Sequence, residues 1–129
     1  MAQHTFVVDD DPIVLFLMKK LLGVYPFAAS VQYYEKSMEA LAQLKNLHNM
    51  GDRFLIFLDI NMPEVDGWEF LRHLSRFADP SNTFVVIITS STDLQDKKRA
   101  EADPYTRRLL VKPVLQENLD EITKEMGWE

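Results

Sequence analysis

Several residue types and patterns are missing from this chain of 129 residues, and each absence excludes a class of protein. There is no cysteine, so neither a disulfide framework nor a thiolate metal site can form. No apolar run approaches the length that crosses a bilayer, and the start of the chain, MAQHTFVVDDD, lacks the regions of a signal peptide. We therefore expect a cytoplasmic protein that does not bind a membrane.

Glycine and positive charge are also scarce. The four glycines are isolated, so no Gly-rich loop is available to cradle the phosphates of a nucleotide. The formal net charge is −6, and the one dense basic cluster, residues 97–99, is flanked by acidic side chains. Nucleic acid is therefore not an expected partner, since its binding depends on neutralising phosphates.

Four short apolar runs are present, and each one ends in polar residues. The four are TFVV before Asp9 and Asp10, LIFL before Asp59, FVVII before Thr89, and LLV before Lys112. Runs without alternation are typical of parallel strands buried on both faces. Because the carboxyl ends of parallel strands share one edge, we expect these polar side chains to converge there.

Helical patterns and one further strand alternate with these runs. The predicted helices run from about Pro12 to Leu22, from Ser37 to about Leu47, from Gly67, from Thr92 to about Ala102, and from about Gln116, and the further strand covers Ala29–Tyr34. Val14, Leu17, Met18, Leu21 and Leu22 form the predicted inward stripe of the first helix, and Met38, Leu41 and Leu44 that of the second. The pattern predicts one α/β domain over residues 1–129, with a doubly wound, flavodoxin-like, five-stranded parallel sheet and helices on both faces.

The acidic residues at the expected edge favour a divalent cation. Asp9, Asp10 and Asp59 would repel one another strongly unless a cation or a proton reduced their charge. An oxygen-only ligand set without histidine or cysteine favours Mg²⁺. The alternative for such aspartates is that they cap helices, which stays open for Asp11.

The same edge predicts a phosphoryl-transfer site. A carboxylate beside a divalent cation, a hydroxyl and an ammonium can attack a phosphoryl group to give an acyl phosphate, and Asp59 is the candidate nucleophile. Thr89 would donate a hydrogen bond to a phosphoryl oxygen, and Lys112 would help neutralise its charge. Since the chain cannot cradle ATP, the phosphoryl group must arrive on a small phosphodonor or on another protein.

These residues carry a resemblance to a known family. The segments VVDDDP, LDINMPEVDG, IITSS and LVKP make the chain similar to a receiver domain of two-component response regulators, of the single-domain chemotaxis type. The resemblance implies that Asp59 is the phospho-acceptor, that Asp9 and Asp10 bind Mg²⁺, and that Asn61 lends its backbone carbonyl to the metal. It also implies a switch hydroxyl at Thr89 and an ion-pairing lysine at Lys112.

The resemblance also implies a partner and exposes one departure. The phosphoryl donor would be a sensor histidine kinase or a histidine phosphotransfer protein. The family often has an aromatic switch residue three positions before the lysine, where this chain has Leu109, and Tyr105 is the nearest aromatic residue. Pro113 occupies what in this family is often a cis proline position.

The first predicted helix is the expected docking surface. Leu15 and Phe16 precede Lys19 and Lys20 by four residues, so on a helix they share the face that the lysines mark as exposed. Together with Ile13 and Val14 they would form an apolar patch that docks on the donor. We expect a monomer or a weak homodimer.

Two other functions remain open from the sequence. Asp9-x-Asp11 after an apolar strand resembles the nucleophile motif of magnesium-dependent phosphohydrolases of the haloacid dehalogenase type, in which Asp9 would be phosphorylated. In such a phosphohydrolase Asp59 would have no role. The other alternative is a receiver that acts as a scaffold independently of phosphorylation, which the missing aromatic residue favours.

Overall fold

The computed structural model describes residues 2–127, in which five strands alternate with five α-helices. The elements are β1 (Gln3–Val8), α1 (Pro12–Leu22), β2 (Val31–Tyr34), α2 (Ser37–Leu47), β3 (Arg53–Asp59), α3 (Gly67–Leu74), β4 (Thr83–Thr89), α4 (Leu94–Ala102), β5 (Thr106–Val111) and α5 (Gln116–Met126). All strand pairs are parallel, in the order β2-β1-β3-β4-β5. This confirms the predicted fold. Within the described residues, no helix has the length and apolarity needed to span a bilayer.

The sheet is buried between two helical layers because both faces of its central strands are apolar. One apolar cluster joins residues such as Phe6, Ile56 and Ile87 to α2 and α3. The other joins their sequence neighbours Val7, Phe57 and Val86 to α1 and α5. Successive side chains of a strand point to opposite faces, so each uninterrupted apolar run contributes to both layers.

The predicted inward stripes of the first two helices are each wrong at one position. In α1, Leu17 is 50% exposed, while Leu15 packs against the core beside the buried Met18. Both leucines are compatible with a helical stripe that contains Met18, so only the packing of α1 on the sheet decides between them. In α2, Met38 is 55% exposed, and the small residue Ala40 is fully buried.

The two edge strands also differ from the prediction. Residues Pro26–Ser30 form a 3-10 helix whose Phe27 is buried, so β2 begins only at Val31. The run before Lys112 was expected to be a buried strand, but β5 has no fully buried residue and Val111 is exposed. An edge strand has only one neighbour in the sheet, which leaves part of its surface uncovered.

Candidate functional site

The polar residues that follow four adjacent strands lie at one edge of the sheet. Asp59 is the last residue of β3 and pairs in register with Ile88 of β4, while Thr89 at the end of β4 pairs with Val111 of β5. The Lys112 backbone N–H donates to the Thr89 carbonyl oxygen at 2.7 Å, which extends this register beyond β5. Asp9 directly follows β1, the other neighbour of β3. The structure therefore brings together the side chains expected at the carboxyl edge.

Three carboxylates and one ammonium form the centre of this site. One oxygen each from Asp9, Asp10 and Asp59 lies within 4.8 Å of the others. Asp9 and Asp59 are buried, and Asp10 is more exposed. The Lys112 Nζ atom lies 2.9 Å from Asp9 Oδ2 and 3.6 Å from Asp59 Oδ2, so one cation faces both buried acids.

Burial and mutual charge shift the ionisation of this cluster. Desolvation is the largest influence on Asp59 and raises its pKa; the charges of Asp9 and Asp10 act in the same direction, the Asn61 N–H and Lys112 oppose them, and the net pKa is raised. For Lys112, burial disfavours the charged form, but the hydrogen bond and charge of Asp9, followed by the charge of Asp59, outweigh it and raise the pKa. The cluster consequently favours a bound cation and holds Lys112 charged.

Local backbone turns fix the two buried carboxylates. The Asp11 N–H donates to Asp9 Oδ1 at 2.8 Å, and the Asn61 N–H donates to Asp59 Oδ1 at 3.0 Å. Each aspartate therefore uses one oxygen to hold the loop that follows its strand. Asp11 itself caps α1 by accepting from the Ile13 N–H at 2.9 Å, as its position before Pro12 predicted.

The hydroxyl of Thr89 is held by groups that the sequence did not identify. Thr89 Oγ1 accepts from the Asn61 side-chain amide at 3.0 Å and from the Ser91 N–H at 3.0 Å. With both lone pairs engaged, the hydroxyl hydrogen stays available for donation. The position of Asn61, two residues after Asp59, was the only signal for the amide contact, and nothing in the sequence indicated that its side chain reaches Thr89.

The donor atoms fit a hard divalent cation. Asp9 Oδ2 is buried, and the Lys112 ammonium at 2.9 Å is its one close donor among the described residues. A buried carboxylate oxygen in this condition is costly unless it gains a further partner, and a cation can provide one. All the candidate ligand atoms are oxygens, which suits Mg²⁺.

A close backbone contact shapes the loop between Asp59 and α3. A Cβ atom on Gly67 would lie 2.6 Å from the Ile60 Cα and 2.9 Å from the Asp59 carbonyl oxygen. The Gly67 N–H also donates to the Ile60 carbonyl at 3.2 Å. Only glycine allows α3 to begin this close to the end of β3.

Tyr105, the aromatic residue nearest to β5 in the sequence, does not replace the missing switch residue at this edge. Leu109 is half-buried against the core on the side of α2 and α3. Tyr105 precedes β5 and therefore lies at the opposite edge of the sheet, where its hydroxyl donates to the Ala78 carbonyl at 2.7 Å. The Lys112–Pro113 peptide bond is cis, as the resemblance implied.

The predicted docking patch on α1 has a different composition from the one expected. Ile13 is 67% and Phe16 is 59% exposed, but Val14 and Leu15 pack partly against the core. Leu17 joins the exposed residues instead. The spacing of Ile13, Phe16 and Leu17 is that of one helical face, so α1 presents a continuous apolar surface next to the acidic cluster.

The chain is similar in sequence and in fold to known proteins. The sequence model of the response regulator receiver domain matches residues 5–124. The probable methanogenesis regulatory protein FilR2 of Methanothrix harundinacea is 28% identical over 138 residues, covering 98% of this chain and 88% of that protein. A response regulator receiver protein from Dyadobacter fermentans has a similar crystal structure, with a TM-score of 0.85, 27% identity and full coverage of both chains.

The extent of the match differs between relatives. The two-component response regulator ARR2 of Arabidopsis thaliana is 28% identical over 92% of this chain, yet the chain spans only 17% of that protein. The similarity to such a relative concerns one part of a longer chain.

Proposed function

Because the chain belongs to the response regulator receiver domain family, we propose that it accepts a phosphoryl group on Asp59 from a sensor histidine kinase or a histidine phosphotransfer protein. Receiver domains of this family act in two-component signalling and are not classical enzymes. We also propose that residues 1–129 form a single receiver domain. The observation that carries the proposal is a buried Asp59 carboxylate that lies beside an ammonium and at the same edge as an available hydroxyl.

The chemistry of the transfer follows from the positions of these groups. An oxygen of Asp59 attacks the phosphorus of a phosphohistidine, so that an O–P bond forms while the P–N bond breaks. The histidine nitrogen leaves with the electron pair of that bond and takes up a proton. The acyl phosphate on Asp59 is later hydrolysed by water, and the chain promotes no reaction other than its own phosphorylation and dephosphorylation.

The residues around Asp59 stabilise the charge that moves with the phosphoryl group. Lys112 faces the Asp59 carboxylate and carries the positive charge that phosphoryl oxygens require. Thr89 has a hydroxyl hydrogen to donate to one of these oxygens, which would draw the Thr89 side chain toward Asp59. The Ser91 N–H would then lose its acceptor, and the start of the loop leading to α4 would move.

Mg²⁺ is the proposed metal. Asp9, Asp10, Asp59 and the backbone carbonyl of Asn61 would hold it, in line with the oxygen cluster and the buried Asp9 Oδ2. When bound, the ion neutralises charge on the carboxylates and on the incoming phosphoryl group.

The phosphohydrolase alternative is not favoured, since the family match covers residues 5–124 and belongs to receivers. The phosphorylation-independent scaffold makes a different prediction, namely that no phosphoryl group reaches Asp59.

The intact mass of the protein after incubation with acetyl phosphate and Mg²⁺ tests the proposal. Wild type should gain one phosphoryl group, and Asp59→Asn should gain none, because an amide is not nucleophilic. Labelling of the Asp59→Asn variant at the wild-type level would contradict the proposal, and labelling that is lost only in Asp9→Asn would favour the hydrolase. A wild-type protein that stays unlabelled with both acetyl phosphate and a phosphohistidine donor would favour the scaffold.

A further inference from the structure

A groove of about 230 Å³ lies between α2 and α3, on the opposite face of the sheet from α1. Its apolar lining comes from Met38, Leu41, Ala42 and Phe77. Met38 is 55% exposed there, although it belongs to a helix that packs on the core. An exposed, flexible methionine beside an apolar floor is typical of surfaces that adapt to a protein partner.

The ionisable residues that line the groove are all basic. Lys45 stands on the α2 wall, and His73 and Arg76 stand on the α3 side. Lys45 and Arg76 form no ion pair with any residue of the described range 2–127. This is unlike the chain as a whole, which has 20 acidic residues against 14 lysines and arginines.

The acidic residues of the two helices do not neutralise this basic rim. Glu39 of α2 and Glu69 of α3 are the only carboxylates in these elements, and neither lines the groove. Glu69 is paired with Arg72 at 2.9 Å. The groove therefore offers an apolar floor between two walls with uncompensated positive charge.

The walls also restrict the conformation of an occupant. One wall is the helix α2, and the other is the end of α3 with the turn that follows it, where the Arg76 and Phe77 N–H groups donate to the carbonyls of His73 and Leu74. The N–H groups of both walls are therefore already hydrogen-bonded, and an extended segment would find no strand edge to pair with. A helical segment satisfies its own backbone groups and needs only side-chain contacts. Apolar side chains at every third or fourth position would enter the groove, and flanking carboxylates would reach Lys45 on one side and Arg76 on the other.

We infer that the α2–α3 groove is a docking site for an acidic amphipathic helix of a partner protein. A second copy of this chain does not offer such a helix, since its α1 has an exposed apolar face but carries only the basic charges of Lys19 and Lys20. Its α5 is acidic, but the apolar residues Leu119 and Ile122 of α5 are buried in their own core and are not available as anchors. The site is separate from the carboxylate cluster and does not depend on phosphorylation of Asp59.

The test uses a synthetic peptide of about 18 residues, long enough to keep helical structure in water. Leucines occupy one face and glutamates flank them, and a matched peptide has lysine in place of every glutamate. Backbone amide chemical shifts of the isotope-labelled protein should change on addition of the glutamate peptide, and the changes should be confined to α2 and α3. The lysine peptide should cause no such changes at the same concentration.

A charge-reversed variant and a matched control complete the design. Lys45→Glu/Arg76→Glu should weaken binding of the glutamate peptide by at least about tenfold and should gain affinity for the lysine peptide. Lys98→Glu/Lys124→Glu changes the net charge equally at exposed positions outside the groove and should leave the affinity within about twofold of wild type. Circular dichroism checks that both variants are folded.

Three outcomes would overturn the inference. Shift changes that map to α1 or to β5 and α5 would place the peptide elsewhere. Equal weakening in the two double variants would mean that net charge alone attracts the peptide. Self-association of the protein without peptide, with shift changes on α2 and α3, would make a second copy the occupant.

Discussion

Thr5 and Asp59 are both polar residues buried in the sheet, and their surroundings have opposite chemical consequences. The Thr5 hydroxyl has no hydrogen-bond partner among the described residues, and it lies in the middle of an apolar layer. Asp59 is surrounded by charged and hydrogen-bonding groups that a phosphoryl acceptor can use. At the scale of the residue, a buried polar side chain among apolar neighbours therefore indicates a cost in stability. A buried polar side chain among charged and hydrogen-bonding groups indicates a functional site.

Replacing Thr5 by Val should stabilise the protein. The methyl group has nearly the shape of the hydroxyl and removes an unpaired polar group from the core, which is expected to raise the free energy of unfolding by about 1 kcal/mol. Thr106→Val is the matched control and should lower the free energy of unfolding, because the Thr106 hydroxyl donates to Asp103 Oδ2 at 2.8 Å. Urea unfolding measures both. A Thr5→Val variant no more stable than wild type would mean that the hydroxyl has a partner, such as a water molecule.

Replacing Asp59 by Asn should raise the melting temperature in a chelator. Burial and the charges of Asp9 and Asp10 raise the pKa of the Asp59 carboxyl in the folded state, so its ionised form is less favourable there than in the unfolded chain. Asn keeps the shape, and its side-chain carbonyl can still accept the Asn61 N–H. Asp10→Asn should also stabilise, since it removes one of the repelling charges.

The pH dependence of that gain has a definite sign. Because the pKa of Asp59 is raised on folding, its penalty is absent below the unfolded value of about 4 and grows as the pH rises toward the folded value. The difference in melting temperature between Asp59→Asn and wild type should therefore be small at the lowest pH, increase above about pH 4 and then level off. A difference that shrinks as the pH rises would contradict the shift.

At the scale of the element, the start of α3 is the part of the fold that most directly shapes the acidic edge. Gly67→Ala would place a Cβ atom 2.6 Å from Ile60 Cα, so the loop after Asp59 has to move. We expect a loss of about 1–3 kcal/mol in unfolding free energy and slower labelling by acetyl phosphate. Gly51→Ala is the control, since its new Cβ meets only the movable side chain of Asn49 at 3.2 Å. Equal labelling rates in wild type and Gly67→Ala would show that the loop adjusts without disturbing Asp59.

The exposed face of α1 gives a prediction about the phosphoryl donor. We propose that the exposed apolar face of α1 docks on the phosphohistidine-bearing donor, and Phe16 is 59% exposed on this face. Phe16→Glu should leave labelling by acetyl phosphate unchanged and slow transfer from the protein donor several-fold, because the acidic cluster is untouched but docking is weakened. Met50→Glu changes another exposed apolar residue, located at the opposite edge of the sheet, and should slow neither reaction. Equal slowing with both donors would indicate a folding defect instead.

At the scale of the whole molecule, stability and the acidic site are linked through the metal. The chain carries a net charge of −6, and three of its carboxylates converge at one point of the fold. A cation that binds only the folded state stabilises it by about 2.7 kcal/mol at a hundred times its Kd. We expect Mg²⁺ to raise the melting temperature of wild type, and to do so much less in Asp59→Asn, as measured by calorimetry. An equal rise in both would place the metal away from the cluster.

The sequence by itself determined the fold class and the members of the acidic edge. Short uninterrupted apolar runs bounded by turn residues are typical of strands covered on both faces, and the helical segments between them favour a parallel sheet. The residue at the end of each run is then forced to the same edge. For this reason Asp9, Asp59, Thr89 and Lys112 could be identified together from their positions alone, in strands that are distant in the sequence.

Only the tertiary structure decided which face of a helix is buried and which side chains meet across loops. On α1, Leu15 and Leu17 differ by about 200° around the helix, yet both are compatible with the hydrophobic pattern, and packing against the sheet selects Leu15. The Asn61 amide reaches Thr89 because the loop after β3 turns toward β4, a contact between residues 28 positions apart. The apolar pattern of a segment indicates that part of its surface is buried. The rotation of a helix about its axis and the path of a loop are decided by contacts with residues that are remote in the chain.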